Sequence, residues 1–225
     1  RTPAISRYNQ WCIFLRNHDE LTLEMVTPEE RQWMWAEYAP ELRMRLNLGI
    51  RRRLAPLLDN DRRKIELANS LLFTMPGTPI IYYGDEIGMG DNIWLNDRNG
   101  VRTPMQWSSG PNAGFSDVPA EKLYAPVIDS SPYTPAEVNV ESQLEDPISL
   151  LSFTRKLIEI VKDHFAFGEG EFHWATCENK AIAAYFRTYQ DGNRSERILV
   201  IQNLSGAAQQ TTIVVPGESS QAPRP

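Results

Sequence analysis

The sequence has 225 residues, 41% of them apolar, and a net charge of −6 at neutral pH. That length suits one or two domains with a sizeable core, and the acidic balance argues against a nucleic-acid or anionic-membrane partner. No apolar run approaches the roughly 20 residues of a membrane span, no signal-peptide pattern opens the chain, and Cys12 and Cys177 fit no redox or metal motif, so a cytoplasmic protein with reduced thiols is expected.

Residues 1–10 read as a polar approach without functional signal. Trp11 to Leu15 is a short apolar run that ends abruptly in Arg16-Asn17-His18-Asp19-Glu20, the pattern of a buried parallel strand leaving the core. Ligands of parallel α/β proteins sit at the carboxyl ends of the strands, which makes Asn17, His18 and Asp19 candidates for chemistry. Taken alone, a His-Asp pair here would more simply be a helix cap and a surface loop. Thr27-Pro28-Glu29-Glu30 supplies an N-cap, a Pro at the first helical position and first-turn acids, so a helix is expected from Pro28 to about Tyr38. Its Trp33, Trp35 and Tyr38 suit either a sugar platform or packing, and helical spacing favours packing.

Arg43, Arg45, Arg51, Arg52 and Arg53 are interleaved with Leu46, Leu48, Ile50 and Leu54, which favours a face meeting the protein's own carboxylates over a phosphate patch. Asp59-Asn60-Asp61 should cap a helix running to about Met75, with Ile65, Ala68, Leu71, Leu72 and Met75 inward. Pro76 to Pro79 breaks it. Ile80 to Tyr83 then reads as a second strand, with Gly84-Asp85-Glu86 as its polar exit. Two such exits one helix apart imply one active face.

Residues 84–145 show no sustained period and are dense in Gly, Pro, Asn and Asp, as expected of a long functional loop after a strand. This loop carries Arg98 and Arg102 towards the rim and a turn with an aromatic at Asn112 to Ser116. Asp146-Pro147 starts a helix through Leu150, Leu151, Thr154, Leu157, Ile158 and Val161. The period then becomes alternating, predicting strands at 171–174, 181–189, 197–202 and 211–215 with Asp191-Gly192-Asn193 as a hairpin turn, and a disordered tail at 217–225. The expected domains are 1–166 and 167–216.

Phe14-x-x-Asn17-His18-Asp19, followed by a helix and Gly77-Thr78-Pro79-x-Ile81-Tyr82-Tyr83-Gly84-Asp85-Glu86-Ile87-Gly88-Met89, resembles strands seven and eight of the α-amylase family barrel. Arg102-Thr103-Pro104-Met105-Gln106-Trp107 is similar to a motif of its α-glucosidase and trehalose synthase branch, and the stretches Ile50 to Arg63 and Gly88 to Asn92 are most similar to the trehalose synthases. The resemblance runs from about Ile13 to about Leu204. It implies the fold class: the C-terminal part of a TIM (β/α)8 barrel, its last two strands and helices, then the start of an antiparallel β domain. On this reading the chain is a fragment, inactive alone, with the apolar faces of Trp11 to Leu15 and Ile80 to Tyr83 left open.

Retaining glycosidases need a nucleophilic carboxylate and a carboxylic acid about 5 to 5.5 Å apart. The resemblance puts that Asp and Glu on strands four and five, absent from this chain, and makes Asp19 the third carboxylate, which grips sugar hydroxyls as positive charge develops on the ring. It makes His18, Asn17, Glu20, Glu24, Arg98 and Arg102 substrate-binding residues, with Glu24 facing Arg98 or Arg102 across the mouth as a closing latch. Asp85 and Glu86 are not the missing pair, because adjacent strand residues point to opposite faces, and Glu86 is read as a support to the site. The implied activity is interconversion of maltose and trehalose by intramolecular transglucosylation through a covalent glucosyl intermediate, with maltose and trehalose as the partners and no cofactor required. Any calcium would belong to residues upstream of this chain; no metal ligand is assigned within it. A homo-oligomer is compatible with this reading. The alternatives are an oligosaccharide-hydrolysing α-glucosidase of the oligo-1,6-glucosidase type and a non-catalytic relative serving as a partner subunit of amino-acid transporters.

Overall fold

The computed structural model describes residues 5–6 and 9–215; the tail expected at 217–225 and most of residues 1–8 lie outside the described residues. In chain order the elements are β1 (Cys12–Phe14), β2 (Leu21–Thr22), α1 (Pro28–Tyr38), β3 (Arg45–Leu46), β4 (Gly49–Ile50), α2 (Leu54–Leu57), α3 (Arg62–Thr74), β5 (Thr78–Ile80), α4 (Val140–Glu145), α5 (Leu150–Asp163), α6 (Phe165–Gly168), β6 (Glu171–Trp174), β7 (Thr176–Cys177), β8 (Ile182–Asp191), β9 (Arg194–Asn203) and β10 (Ile213–Val214). They form two compact units, one of residues 12–72 and 79–159, the other of the remaining described residues. Among the described residues no helix is long and apolar enough to cross a membrane.

In the first unit β1 and β5 are hydrogen-bonded neighbours. The second strand thus lies earlier than the expected Ile80 to Tyr83. Its tyrosines are good strand formers, but they leave the sheet because their hydroxyls donate to loop carbonyls, Tyr82 to Val101 at 2.7 Å and Tyr83 to Thr103 at 2.7 Å. Gly84, at φ 85°, then starts a 3-10 turn over Asp85–Ile87, a left-handed conformation that a side chain would strain. Trp11, Phe14, Ile80 and Tyr83 are exposed, as expected of the open faces of these strands.

A small antiparallel sheet, ordered β2-β4-β3, follows the first polar exit and pairs Leu21 with Ile50. Helix α1 begins where its sequence says. The Thr27 Oγ1 accepts from the Glu30 N–H at 3.3 Å while Glu30 Oε2 accepts from the Thr27 N–H at 2.8 Å. Its Met34, Trp35 and Tyr38 pack against buried Leu23, Ala39 and Ile50, so Trp35 and Tyr38 are packing rather than a sugar platform, whereas Trp33 stands edge-on to Tyr38 and is exposed. Helices α2, α3 and α5 share a second core of Leu54, Ala55, Ile65 and Leu150. Asp61 caps α3, accepting from the Arg63 N–H at 2.9 Å.

The segment 84–145 is irregular but well packed. Ile87, Met89 and Met105 form a third core with Val138, Val140 and Leu151, and Gln106 donates to the carbonyls of Tyr133 and Val138 at 3.1 and 2.6 Å. Helix α4 ends the segment. The basic stretch holds it down, with a difference from expectation. Arg52 meets the Asp91 carboxylate at 2.9 Å, but Arg51 spends its donors on backbone carbonyls, of Leu95 at 2.6 Å, Ile93 at 2.9 Å, and Asp97. A guanidinium presents five donors and no acceptor, so a crowd of loop carbonyls satisfies it as well as a carboxylate does.

The second unit is built on the antiparallel sheet β6-β8-β9, with a tight turn at Gly192 between the two long strands. A further short ladder, β7 with β10, pairs Cys177 with Ile213. Buried Arg187 donates to the carbonyls of Thr74 and Phe167 of the same unit, both at 2.9 Å.

The local cap of α1 is expected to act independently of the rest. Thr27→Ala removes one side of the reciprocal cap and should lower unfolding stability by about 1 kcal/mol in urea titration. A change within a few tenths of that of wild type would show that α1 is held by packing alone.

Candidate active site

The polar exit of β1 turns immediately. The Asn17 side-chain oxygen accepts from the Asp19 N–H at 2.9 Å, a local turn that lifts His18 and Asp19 out of the strand. His18 Nε2 lies 3.3 Å from Asp19 Oδ2, and both side chains are open to solvent. Beyond them Glu20 Oε1 accepts from Asn47 Nδ2 at 2.6 Å, on the turn joining β3 and β4. That turn needs the left-handed backbone that Asn47 supplies at φ 51°. Gly49 beside it leaves room for the exit, because a Cβ there would meet the Leu21 carbonyl and the Glu20 side chain.

The long loop closes on this exit. Arg102 donates from Nε to the His18 carbonyl and from Nη2 to Asp19 Oδ1, each at 2.8 Å. Arg98 reaches the same Oδ1 from Nε at 2.8 Å, Glu20 Oε2 from Nη2 at 3.0 Å and Asp97 from Nη1 at 2.9 Å. Two arginines, one of them 83 residues along the chain, therefore share one carboxylate oxygen. Partly exposed ion pairs of this kind contribute only about 0–1 kcal/mol each, so their consequence is position rather than stability. Oδ2 is left facing His18 Nε2.

Five of the expected residues besides Asp19, namely Asn17, His18, Glu20, Arg98 and Arg102, are thus brought together around it. Glu24 is not. It is exposed, and among the described residues it makes no ion pair with Arg98 or Arg102, so the expected latch is replaced by Glu20 on Arg98. The physical reason is β2: pairing of Leu21 and Thr22 with β4 fixes the chain after Glu20 and carries Glu24 past the cluster.

Behind the exit lies a set of buried charges that were not read from sequence. Arg16, which precedes Asn17, donates to the Ile50 carbonyl at 2.9 Å, and burial pushes its guanidinium down to about 10. Arg53 donates from Nη1 to the Tyr83 carbonyl at 2.6 Å and lies 3.8 Å from Asp85. Asp85 is pushed up to about 6 by burial, against the opposing pull of Arg53 and Arg16. Asp85 and Glu86 sit on a 3-10 turn, not on strand positions of opposite facing. They are nonetheless separated: Asp85 faces Arg53, whereas Glu86 lines a pocket with Tyr83, Trp107 and Tyr124. The legible signal would have been a charged residue, Arg16, ending an apolar strand. Among the described residues no group of three or more His, Cys, Asp or Glu is placed to hold a metal ion.

Residues 50–170 match the family model of the alpha amylase catalytic domain. The chain is 55% identical over 205 residues to the trehalose synthase of Pimelobacter sp. strain R48, an alignment covering 91% of this chain and 36% of that protein. It therefore spans about a third of that relative's length. A more distant relative is the oligo-1,6-glucosidase of Parageobacillus thermoglucosidasius, 30% identical over 184 residues, covering 65% of this chain and 31% of that enzyme. The crystal structure of the trehalulose synthase MutB from Pseudomonas mesoacidophila superposes with a TM-score of 0.58 at 24% identity, over 86% of this chain and 34% of that one. This likeness speaks to fold: an α/β barrel part followed by an antiparallel sheet.

The raised Asp85 makes stability depend on pH in a stated direction. The folded chain holds this proton more tightly than the unfolded chain, so the stabilisation is complete below about pH 4 and is lost as pH rises through about 6. Between pH 4 and 7 the unfolding free energy of wild type should fall by roughly 2 kcal/mol relative to that of Asp85→Asn. Parallel pH profiles in urea titration would contradict the assignment.

Proposed function

This chain belongs to the alpha-amylase family, and from that premise we propose that it carries one side of the active site of an enzyme interconverting maltose and trehalose. The supporting observation is the convergence of Arg98 and Arg102 on Asp19 in a chain 55% identical to a trehalose synthase. The weaker likeness to an oligo-1,6-glucosidase makes hydrolysis the second reading.

The chemistry follows from charge. A retaining enzyme breaks the α1,4 bond with a carboxylate nucleophile while a carboxylic acid protonates the departing oxygen, and the family resemblance assigns both groups to strands outside these residues. Asp19 supplies the third carboxylate. With Oδ1 held by two arginines, Oδ2 and His18 Nε2, 3.3 Å apart and open to solvent, are placed beside each other to meet two neighbouring ring hydroxyls. A fixed negative charge there favours the cationic transition state over the neutral sugar, and costs no reorganisation because the arginines already hold it.

The glucosyl-enzyme ester then waits for a nucleophile. If the freed glucose turns and attacks through its anomeric hydroxyl, the proton passes to the carboxylate that served as the acid, the ester breaks, and α1,1-linked trehalose forms. If water attacks first, glucose is released. The product ratio depends on closure of the pocket during that turn. Arg98, tied at once to Asp19, Glu20 and Asp97, is the residue that holds the loop over the exit of β1.

Expressed from its complete reading frame, the protein should convert maltose to trehalose. Asp19→Asn should lower that rate by roughly 10² to 10³ while changing maltose binding much less. Activity within a few-fold of wild type would refute the role of Asp19, and glucose as the sole product would select the hydrolase.

A further inference from the structure

Arg51 is buried, and every hydrogen bond its side chain makes among the described residues goes to a backbone carbonyl rather than a carboxylate. Nη1 donates to Leu95 at 2.6 Å and to Asp97, and Nη2 donates to Ile93 at 2.9 Å and to Arg43 at 2.5 Å. Three of these acceptors are alternate residues of one short loop. The loop is closed at its neck, where the Asn92 N–H donates to the Gly100 carbonyl at 2.9 Å. Gly100 is required there, because a Cβ would run into the Asn92 carbonyl oxygen. No backbone N–H among the described residues donates to the carbonyls of Ile93, Leu95 or Asp97. The guanidinium supplies the donors that a ladder supplies elsewhere.

Its place in the chain joins this loop to the exit of β1. Arg51 follows β4 directly, and Ile50 of β4 pairs with Leu21 of β2, just beyond Asp19. At the other end of the side chain, Asp97 immediately precedes Arg98, which reaches Asp19 Oδ1 at 2.8 Å. The backbone beyond Arg98 has separate tethers, since the hydroxyls of Tyr82, Tyr124 and Tyr83 donate to the carbonyls of Val101, Arg102 and Thr103. Arg102 therefore has the tyrosines to hold its backbone. Arg98 has Arg51.

We propose that Arg51 is a positioning residue for the reaction proposed above: it fixes loop 92–100 in register with the β1 exit, so that Arg98 meets Asp19 in one orientation and the loop stays down while the freed glucose turns. The inference rests on that reading of the function. Arg51 touches no substrate and acts through Arg98. Lysine cannot replace it, because its three donors sit on one atom, whereas the four carbonyls are met by a planar fork.

A double-mutant cycle tests this in the protein expressed from its complete reading frame, comparing wild type, Arg51→Lys, Arg98→Ala and the pair for maltose consumption and products. Arg51→Lys should lower kcat about tenfold, leave KM within about twofold and raise the share of free glucose. In the Arg98→Ala background the same change should alter kcat by less than about twofold. Hydrogen exchange read by mass spectrometry needs no activity: Arg51→Lys should speed exchange at least about tenfold across 92–102 and leave α1 unchanged. An equal loss of kcat in both backgrounds, unchanged exchange across 92–102, or faster exchange everywhere with α1 included would overturn the proposal. Glucose as the sole product, with the cycle and the exchange as expected, would keep the role of Arg51 and replace the isomerase by a hydrolase. Trehalose made by Arg51→Lys at the wild-type rate would keep the isomerase and remove the role of Arg51. If wild type consumed no maltose, the function proposed above would fail and this inference with it.

Discussion

Two guanidinium groups on one carboxylate oxygen decide where a long irregular loop can go. Arg98 and Arg102 are carried on a segment without sustained secondary structure, yet both reach Asp19 Oδ1 at 2.8 Å. The carboxylate is fixed by its own short-range geometry, through the Asn17 side chain below it and β2 beyond it. The loop must conform to the strand exit rather than the reverse. A carboxylate so held keeps one orientation, which is the property a charge-stabilising group needs.

That arrangement has a structural cost, met by the basic stretch after β3. The loop carries many carbonyls with no ladder to join, and Arg51 gathers those of Ile93, Leu95 and Asp97 while the Arg53 N–H and Arg52 both hold Asp91. Arg16, Arg53 and Asp85 then stand buried under the exit. Buried charges are weak sources of stability, since desolvation offsets their attraction, but once in place they admit few alternative arrangements. Placement of the loop thus rests on Arg51, Arg52 and Arg53, and that of Asp19 on Arg98 and Arg102, which this loop carries.

How far the sequence reveals this depends on the range of each interaction. Helix α1 is legible to the residue because its start is set by Thr27, Pro28 and Glu30, all within one turn. The hairpin at Gly192 is legible for the same reason. Tyr82 and Tyr83 mislead. Their side chains favour a strand, but their hydroxyls are claimed by Val101 and Thr103, far along the chain, and no local pattern records that. Asp19, Arg98 and Arg102 are found through a family motif, and the structure brings them together. Glu24 is misplaced because counting along the exit ignores the pairing of Leu21 with Ile50, which spends the intervening residues in a sheet. The buried partners of Arg16, Arg53 and Asp85 are separated by tens of residues.

The proposed isomerase function requires that the glucosyl unit and the glucose it leaves stay together around Asp19 until they rejoin. Uniformly ¹³C-labelled maltose incubated with the protein and a large excess of unlabelled glucose measures this directly, with trehalose isolated and its rings analysed by mass. The account predicts trehalose labelled in both rings. Trehalose labelled in one ring only, or labelled glucose with no trehalose, would contradict it.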